Sequence, residues 1–245
     1  MPGTRSGRAA GLAGEAVHHV HDVVHDAVHE LGAALKPRLR GVLHELAFAI
    51  SLVTGTVLVC LADGARARTS ASVYAASVAL LFGTSAAYHR GTWGPKMQGL
   101  MARLDHSMIF ILIAGTYTPF ALLLLDGSQR WLAFGLVWGG AAVGVLLRNA
   151  LRRPPRWLLV GLYLLLGWVA LGFLPSLLHR GGVAVVALLL VGGALYSVGA
   201  VVYALRRPNP SPRWFGFHEV FHALTLAAFV THYVAVSLAT YRNPA

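Results

Sequence analysis

The chain has 245 residues, 56% of them hydrophobic and only 12% charged, which is about half the charge of a soluble domain of this length. A polytopic membrane protein is the class that fits, and the excess of 20 Lys and Arg over 9 Asp and Glu is explained below by membrane topology, so no nucleic-acid partner is required. The single cysteine, Cys60, lies inside an apolar run, which excludes an intrachain disulfide and a cysteine-based metal framework.

Residues 1–41 are polar, Gly/Ala-rich at first and then His-rich, with no apolar core of signal-peptide length. The first span is therefore expected to act as its own insertion signal. Within this segment His18, His21, His25 and His29 recur at three or four residues beside an apolar stripe of Val17, Val20, Val24, Val28 and Leu31. The pattern predicts an amphipathic helix near the membrane or a partner, with the histidines on its solvated face.

Apolar stretches follow at about 42–62, 70–89, 104–125, 131–147, 157–174, 183–205 and 216–239, most of them near the roughly 20 residues that cross a bilayer. The connectors carry breakers: Asp63-Gly64, Gly94-Pro95, Asp126-Gly127, Pro154-Pro155, Gly181-Gly182 and Pro208-Asn209-Pro210. The sequence thus predicts an all-α protein, with a cytoplasmic segment over 1–41 and one domain of seven transmembrane helices over 42–240. Tyr117 and Pro119 are expected to kink and pack the third helix. Trp131, Trp157 and Trp214 near span ends suit the interfacial belt.

With the N-terminus inside, the inner segments hold Arg5, Arg8, Lys36, Arg38, Arg40, Arg90, Lys96, Arg103, Arg148, Arg152, Arg153, Arg156, Arg206, Arg207 and Arg213, and the outer ones only Arg66, Arg68, Arg130, Arg180 and Arg242. Fifteen basic residues against five predict a cytoplasmic N-terminus and an external C-terminus. The basic groups then flank the inner leaflet, where anionic lipid attracts them.

That topology converges. The second span ends at His89, the third starts at Asp105, the seventh starts with His218 and His222, and the first begins at His44 and Glu45. Ionisable groups at membrane depth are costly and are functional-site hypotheses by default. His218 and His222 are four residues apart and share a helix face, a spacing one tetrahedral ion can bridge. His89 supplies a third ligand, and three histidines leave a position open for water, the catalytic pattern, in which zinc brings the pKa of its water to about 7. Asp105 is then the expected general base or water-positioning group, and Ser85, one turn before His89, can hydrogen-bond a ligand or that water. The run HEVFH reads as H-E-x-x-H, which offers Glu219 as an alternative base. The chemistry suits hydrolysis of an amide or ester.

The run KPRLRGVLHE, the S-x-x-x-H of GTSAAYH, the stretch RLDHSMIFILIAGTYTPF and the closing FHEVFH together resemble the bacterial haemolysin III family, relatives of the progestin and adiponectin (PAQR) receptors. The resemblance covers roughly residues 36–240 with the motifs in order. It implies seven helices in the plasma membrane with a cytoplasmic N-terminus, zinc held by His89, His218 and His222, and Ser85 and Asp105 around a bound water. Through the alkaline ceramidases of the wider superfamily it implies a lipid amide hydrolase, with membrane lipids as partners and substrate source. The family name implies instead a pore that lyses red cells, and the receptor relatives imply a regulator without turnover.

Simpler roles are expected elsewhere. His106, His179 and His232 read as helix-to-helix hydrogen-bond partners or exposed residues, Asp105 could pair with Arg103, and Glu45 reads equally as a support for the site and as a boundary charge.

Overall fold

The computed structural model describes residues 37–151, 154–211 and 213–242, together with Val24. The His-rich stripe of the N-terminal segment, Val24 apart, lies outside the described residues. The described chain is all-helical: α1 (Val42–Cys60), α2 (Ala65–Arg90), α3 (Pro95–Leu124), α4 (Gly127–Ala150), α5 (Arg156–Gly167), a 3-10 turn (Val169–Phe173), α6 (Leu174–Leu205) and α7 (Phe217–Arg242). Short connectors such as Leu61–Gly64 and Leu125–Asp126 make sequential helices antiparallel neighbours.

Among the described residues, six helical stretches are long and apolar enough to cross a membrane. The expected fifth and sixth stretches fall together in one of them, Arg156–Leu205, which runs for 50 residues. It is interrupted twice, by the 3-10 turn at Val169–Phe173 and at Gly182, whose φ of 76° and ψ of 173° leave helical geometry. Only glycine takes up such a φ without strain, so the expected breaker Gly181-Gly182 becomes a kink with no polar loop around it.

The first interruption is held by a single side chain. Tyr117 of α3 donates its hydroxyl to the Gly167 carbonyl at 2.7 Å and accepts the Ala170 N–H at 2.7 Å. Both backbone groups freed by the break are thereby satisfied, as any break at membrane depth requires. Tyr117 is more than a packing residue.

The centre of the bundle is α3, with 67% of its apolar window buried, against 22% for α4. Phe82, Tyr74 and Val78 from α2, Leu124 from α3 and Val236 from α7 fill the core between them. Leu46, Val53, Trp131, Leu146, Trp157 and Val183 are exposed. On a soluble protein such a surface would drive association, whereas in a bilayer these side chains meet hydrocarbon. The α2 C-terminus and the N-termini of α1, α3 and α7 share one end of the bundle, where Glu45 Oε2 pairs with Arg90 Nε at 3.0 Å.

Candidate metal centre

His89 occupies the last turn of α2, and His218 and His222 the first two turns of α7. One ring nitrogen from each lies within 4.8 Å of the others, and His89 Nε2 and His218 Nε2 are 3.1 Å apart. Tetrahedral zinc with bonds of about 2.0–2.1 Å would place its ligand atoms roughly 3.4 Å apart. Three imidazole nitrogens at these separations fit such an ion after small ring rotations, so the cluster could hold a metal. His89 and His222 are buried, at 6% and 2% exposure.

Asp105, about three turns into α3, turns its Oδ2 to within 4.0 Å of His89 Nε2. Ser85, four residues before His89, sets its hydroxyl beside the Asp105 carboxylate. All five expected site residues therefore surround one point. Asp105 makes no ion pair with Arg103 among the described residues; its neighbours include His89, Ser85, His106 and Arg148.

Glu219 lies between the two α7 ligands and is 1% exposed, yet both its oxygens are engaged. Oε2 accepts the Gly216 N–H at 2.8 Å, closing the open first turn of α7, and Oε1 takes the Arg40 Nε. With both oxygens engaged, the carboxylate ties the strap to the start of α7 as a strut. Arg40 belongs to a short strap ahead of α1. Arg38 N–H donates to the Arg213 carbonyl at 3.0 Å, Leu39 N–H to the Trp214 carbonyl at 3.3 Å, and the Arg38 guanidinium lies over the Trp214 ring at 4.7 Å. The strap and the loop before α7 form a floor beneath the histidines. At the strap's end Gly41 has φ 85°, and a Cβ there would stand 2.7 Å from His89 Cβ. No other residue satisfies both constraints.

His44 is the member that sequence reasoning placed at the right depth and gave no role. It is 3% exposed, its ring stacks on that of His222 at 3.7 Å and 10°, and neither nitrogen has a hydrogen-bond partner. Two parallel rings cannot both aim an in-plane lone pair at the same ion, so His44 covers a face of His222 without sharing its ligand. Glu45, on the opposite side of the same turn, is an exposed boundary charge paired with Arg90. His106 joins helices as expected, with Nδ1 against the Ala102 carbonyl at 2.6 Å and Nε2 against the Tyr203 hydroxyl at 3.2 Å. His179 is exposed.

From this cluster a cavity of about 140 Å³ extends into the bundle, bounded at one end by His44, Asp105 and His222 and at the other by Trp168 and His232. Its walls between are mainly apolar, including Ile109, Ile113, Val160 and Leu164.

A bundle of apolar helices with a largely buried three-histidine cluster at one end defines a multi-pass membrane protein with a candidate metal centre. The sequence profile described as "Haemolysin-III related" matches residues 33–233, and the chain belongs to that family, whose members in bacteria reside in the plasma membrane. It is similar to "Hemolysin-3" of Bacillus cereus, with 35% identity over 139 residues, covering 57% of this chain and 63% of that protein. It is also similar to "Hemolysin-3 homolog" of Bacillus subtilis (strain 168), with 32% identity over 149 residues, covering 60% of this chain and 70% of that one.

Proposed function

We propose that the protein is a zinc-dependent membrane hydrolase acting on a lipid amide or ester, with His89, His218 and His222 as ligands. The observation that carries this reading is the meeting of three histidine nitrogens, Asp105 and Ser85 at the mouth of a largely apolar cavity. When bound, zinc supplies Lewis acidity toward a carbonyl and toward water. The remaining work belongs to the chain. Asp105 takes the proton of the attacking water and returns it to the departing amine or alcohol. Ser85 holds the carboxylate in place, His44 and Phe82 wall the ligands off from lipid, and the apolar cavity receives the acyl chain.

Seven membrane crossings with the N-terminus inside belong to the same reading. Residues 1–41 would then be the cytoplasmic segment and 42–240 the membrane domain. The 12 residues of α5 rise about 18 Å and the 5 of the 3-10 turn about 10 Å more, close to the ~30 Å hydrocarbon thickness, which supports reading the 50-residue stretch as two crossings. The relatives' names speak for a haemolysin, and a pore is the competing reading. A pore needs a continuous polar path, and the apolar walls beyond His106 and Tyr203 weigh against one.

Metal analysis of protein purified without chelators tests the proposal. The wild type should carry about one zinc per chain, as a single three-histidine site demands, and a His218→Ala/His222→Ala double variant none, with turnover of lipid amides or esters lost alongside. Wild-type protein without stoichiometric metal would overturn it.

A further inference from the structure

The end of the bundle that carries the metal centre also carries four arginines without an ion-pair partner among the described residues. Arg103 lies in α3, Arg148 in the last turn of α4, Arg156 opens α5 and Arg206 follows α6. The carboxylates at this end are committed elsewhere. Glu45 pairs with Arg90 and Glu219 with Arg40, while Asp105, although within electrostatic reach of Arg148, faces His89 and Ser85.

Three of the arginines converge on one ring. The Arg156 guanidinium lies 5.9 Å from the centre of the Tyr203 ring, and Arg148 and Arg206 come close enough to the same tyrosine to act on its hydroxyl electrostatically. Tyr203 is itself fixed. His106 Nδ1 lies 2.6 Å from the Ala102 carbonyl and so carries the hydrogen, which leaves Nε2 to accept the Tyr203 O–H at 3.2 Å. The same carbonyl accepts from Arg148 Nη2 at 3.3 Å. Arg148 is half-buried and has no second hydrogen-bond partner among the described residues. Tyr203 also lines the mouth of the cavity beside Asp105 and His106, with its ring 5.8 Å from that of His218.

Helix dipoles explain only part of this cluster. Arg148 and Arg206 stand at helix C-termini, where a cation is favoured. Arg156 stands at the N-terminus of α5, where a cation is disfavoured, and that end has no side-chain cap. Its neighbours are further cations, so an anion among them would relieve repulsion at every one. The surroundings say which kind of anion. Trp157 beside Arg156, Leu205 beside Arg206 and Leu151 just after Arg148 are exposed. Guanidiniums edged by exposed apolar side chains suit both parts of a phospholipid, whereas a soluble anion would need only the charges.

We propose that Arg148, Arg156 and Arg206 form a binding site for the phosphate group of an anionic phospholipid, seated over Tyr203 at the mouth of the cavity. The guanidiniums donate to the phosphate oxygens, and the exposed apolar side chains beside them meet the lipid's acyl chains. The site uses none of the metal ligands, so it stands apart from the hydrolase reading.

The test titrates the purified protein in a non-ionic detergent with phosphatidylglycerol or phosphatidylcholine of the same acyl composition and counts bound lipid by native mass spectrometry. The wild type should bind phosphatidylglycerol about 10-fold more tightly, the low end for hydrogen bonds to a charged group. Arg148→Gln/Arg156→Gln should remove that preference. Arg66→Gln/Arg242→Gln, which takes the same charge from the opposite end of the bundle, should keep it. Glycerol 3-phosphate at concentrations equal to the lipid should leave phosphatidylglycerol in place; displacement would assign the site to a soluble phosphate and overturn the lipid. Equal losses in the two double variants would show general surface charge and no built site. Equal affinity of the wild type for the two lipids would overturn the proposal without any variant having to fold.

Discussion

Glu219 is the residue for which motif and structure make opposite predictions. As the base of H-E-x-x-H, its replacement by Gln or Ala would stop turnover and leave the fold alone. As a strut between the strap and the start of α7, its loss should show in stability. Glu219 and Arg40 are 1% and 19% exposed, and removing one partner of a buried pair costs about 3–5 kcal/mol, because the other charge is left uncompensated. The residual exposure of Arg40 favours the lower end, so Glu219→Ala should cost about 3 kcal/mol and lower the melting temperature by roughly 10 °C for a chain of this size. Glu219→Gln keeps an acceptor for the Gly216 N–H and should lose about half as much. Arg40→Leu, which strands the Glu219 carboxylate, should cost as much as Glu219→Ala, while Arg40→Leu with Glu219→Leu should cost clearly less than the sum of the two. The assay is intrinsic tryptophan fluorescence melting in detergent, with zinc content measured on the same samples. Unshifted melting of Glu219→Ala together with lost hydrolysis would refute the strut and reinstate the base.

Three further outcomes follow from the geometry. Asp105→Asn should retain the metal and the fold while hydrolysis of a lipid amide that the wild type cleaves falls by about 10²-fold or more; release of zinc would make Asp105 a ligand, and unchanged turnover would end its role as base. His44→Phe preserves the stacking surface on His222 and removes two unpartnered buried nitrogens, so thermal stability should be equal to or above wild type with zinc content unchanged; loss of zinc would show His44 to be a ligand. A reporter fused at the C-terminus should be active only on the outer side of the membrane, as the distribution of basic residues requires, and cytoplasmic activity would invert the assignment of the metal centre to the inner leaflet.

The sequence by itself determined the class, the helical content and the convergence of the candidate site's histidines, because each depends on local or one-dimensional quantities. Apolar run length marks a crossing, and the four-residue spacing of His218 and His222 places them on one face whatever lies around them. The shared depth of His89, Asp105, His218 and His222 follows from counting residues from span ends along antiparallel helices. Tertiary structure decided what those counts could not reach. Glu219 resembles a base until Arg40, 179 residues away in the chain, and the Gly216 N–H occupy its two oxygens. His44 and His232 look alike as lone polar residues in apolar helices. Only the packing of α1 on α7 and of α6 on α7 distinguishes a ring stacked over His222 from one held against Gly192 and the Leu189 carbonyl. The hydroxyl of Tyr117 closes a break in another helix, a contact that no periodicity in α3 could foretell. The division of labour has one physical reason: bilayer thickness and helix period act on neighbours in sequence, whereas hydrogen-bond satisfaction at membrane depth is settled between helices that meet only in the folded bundle.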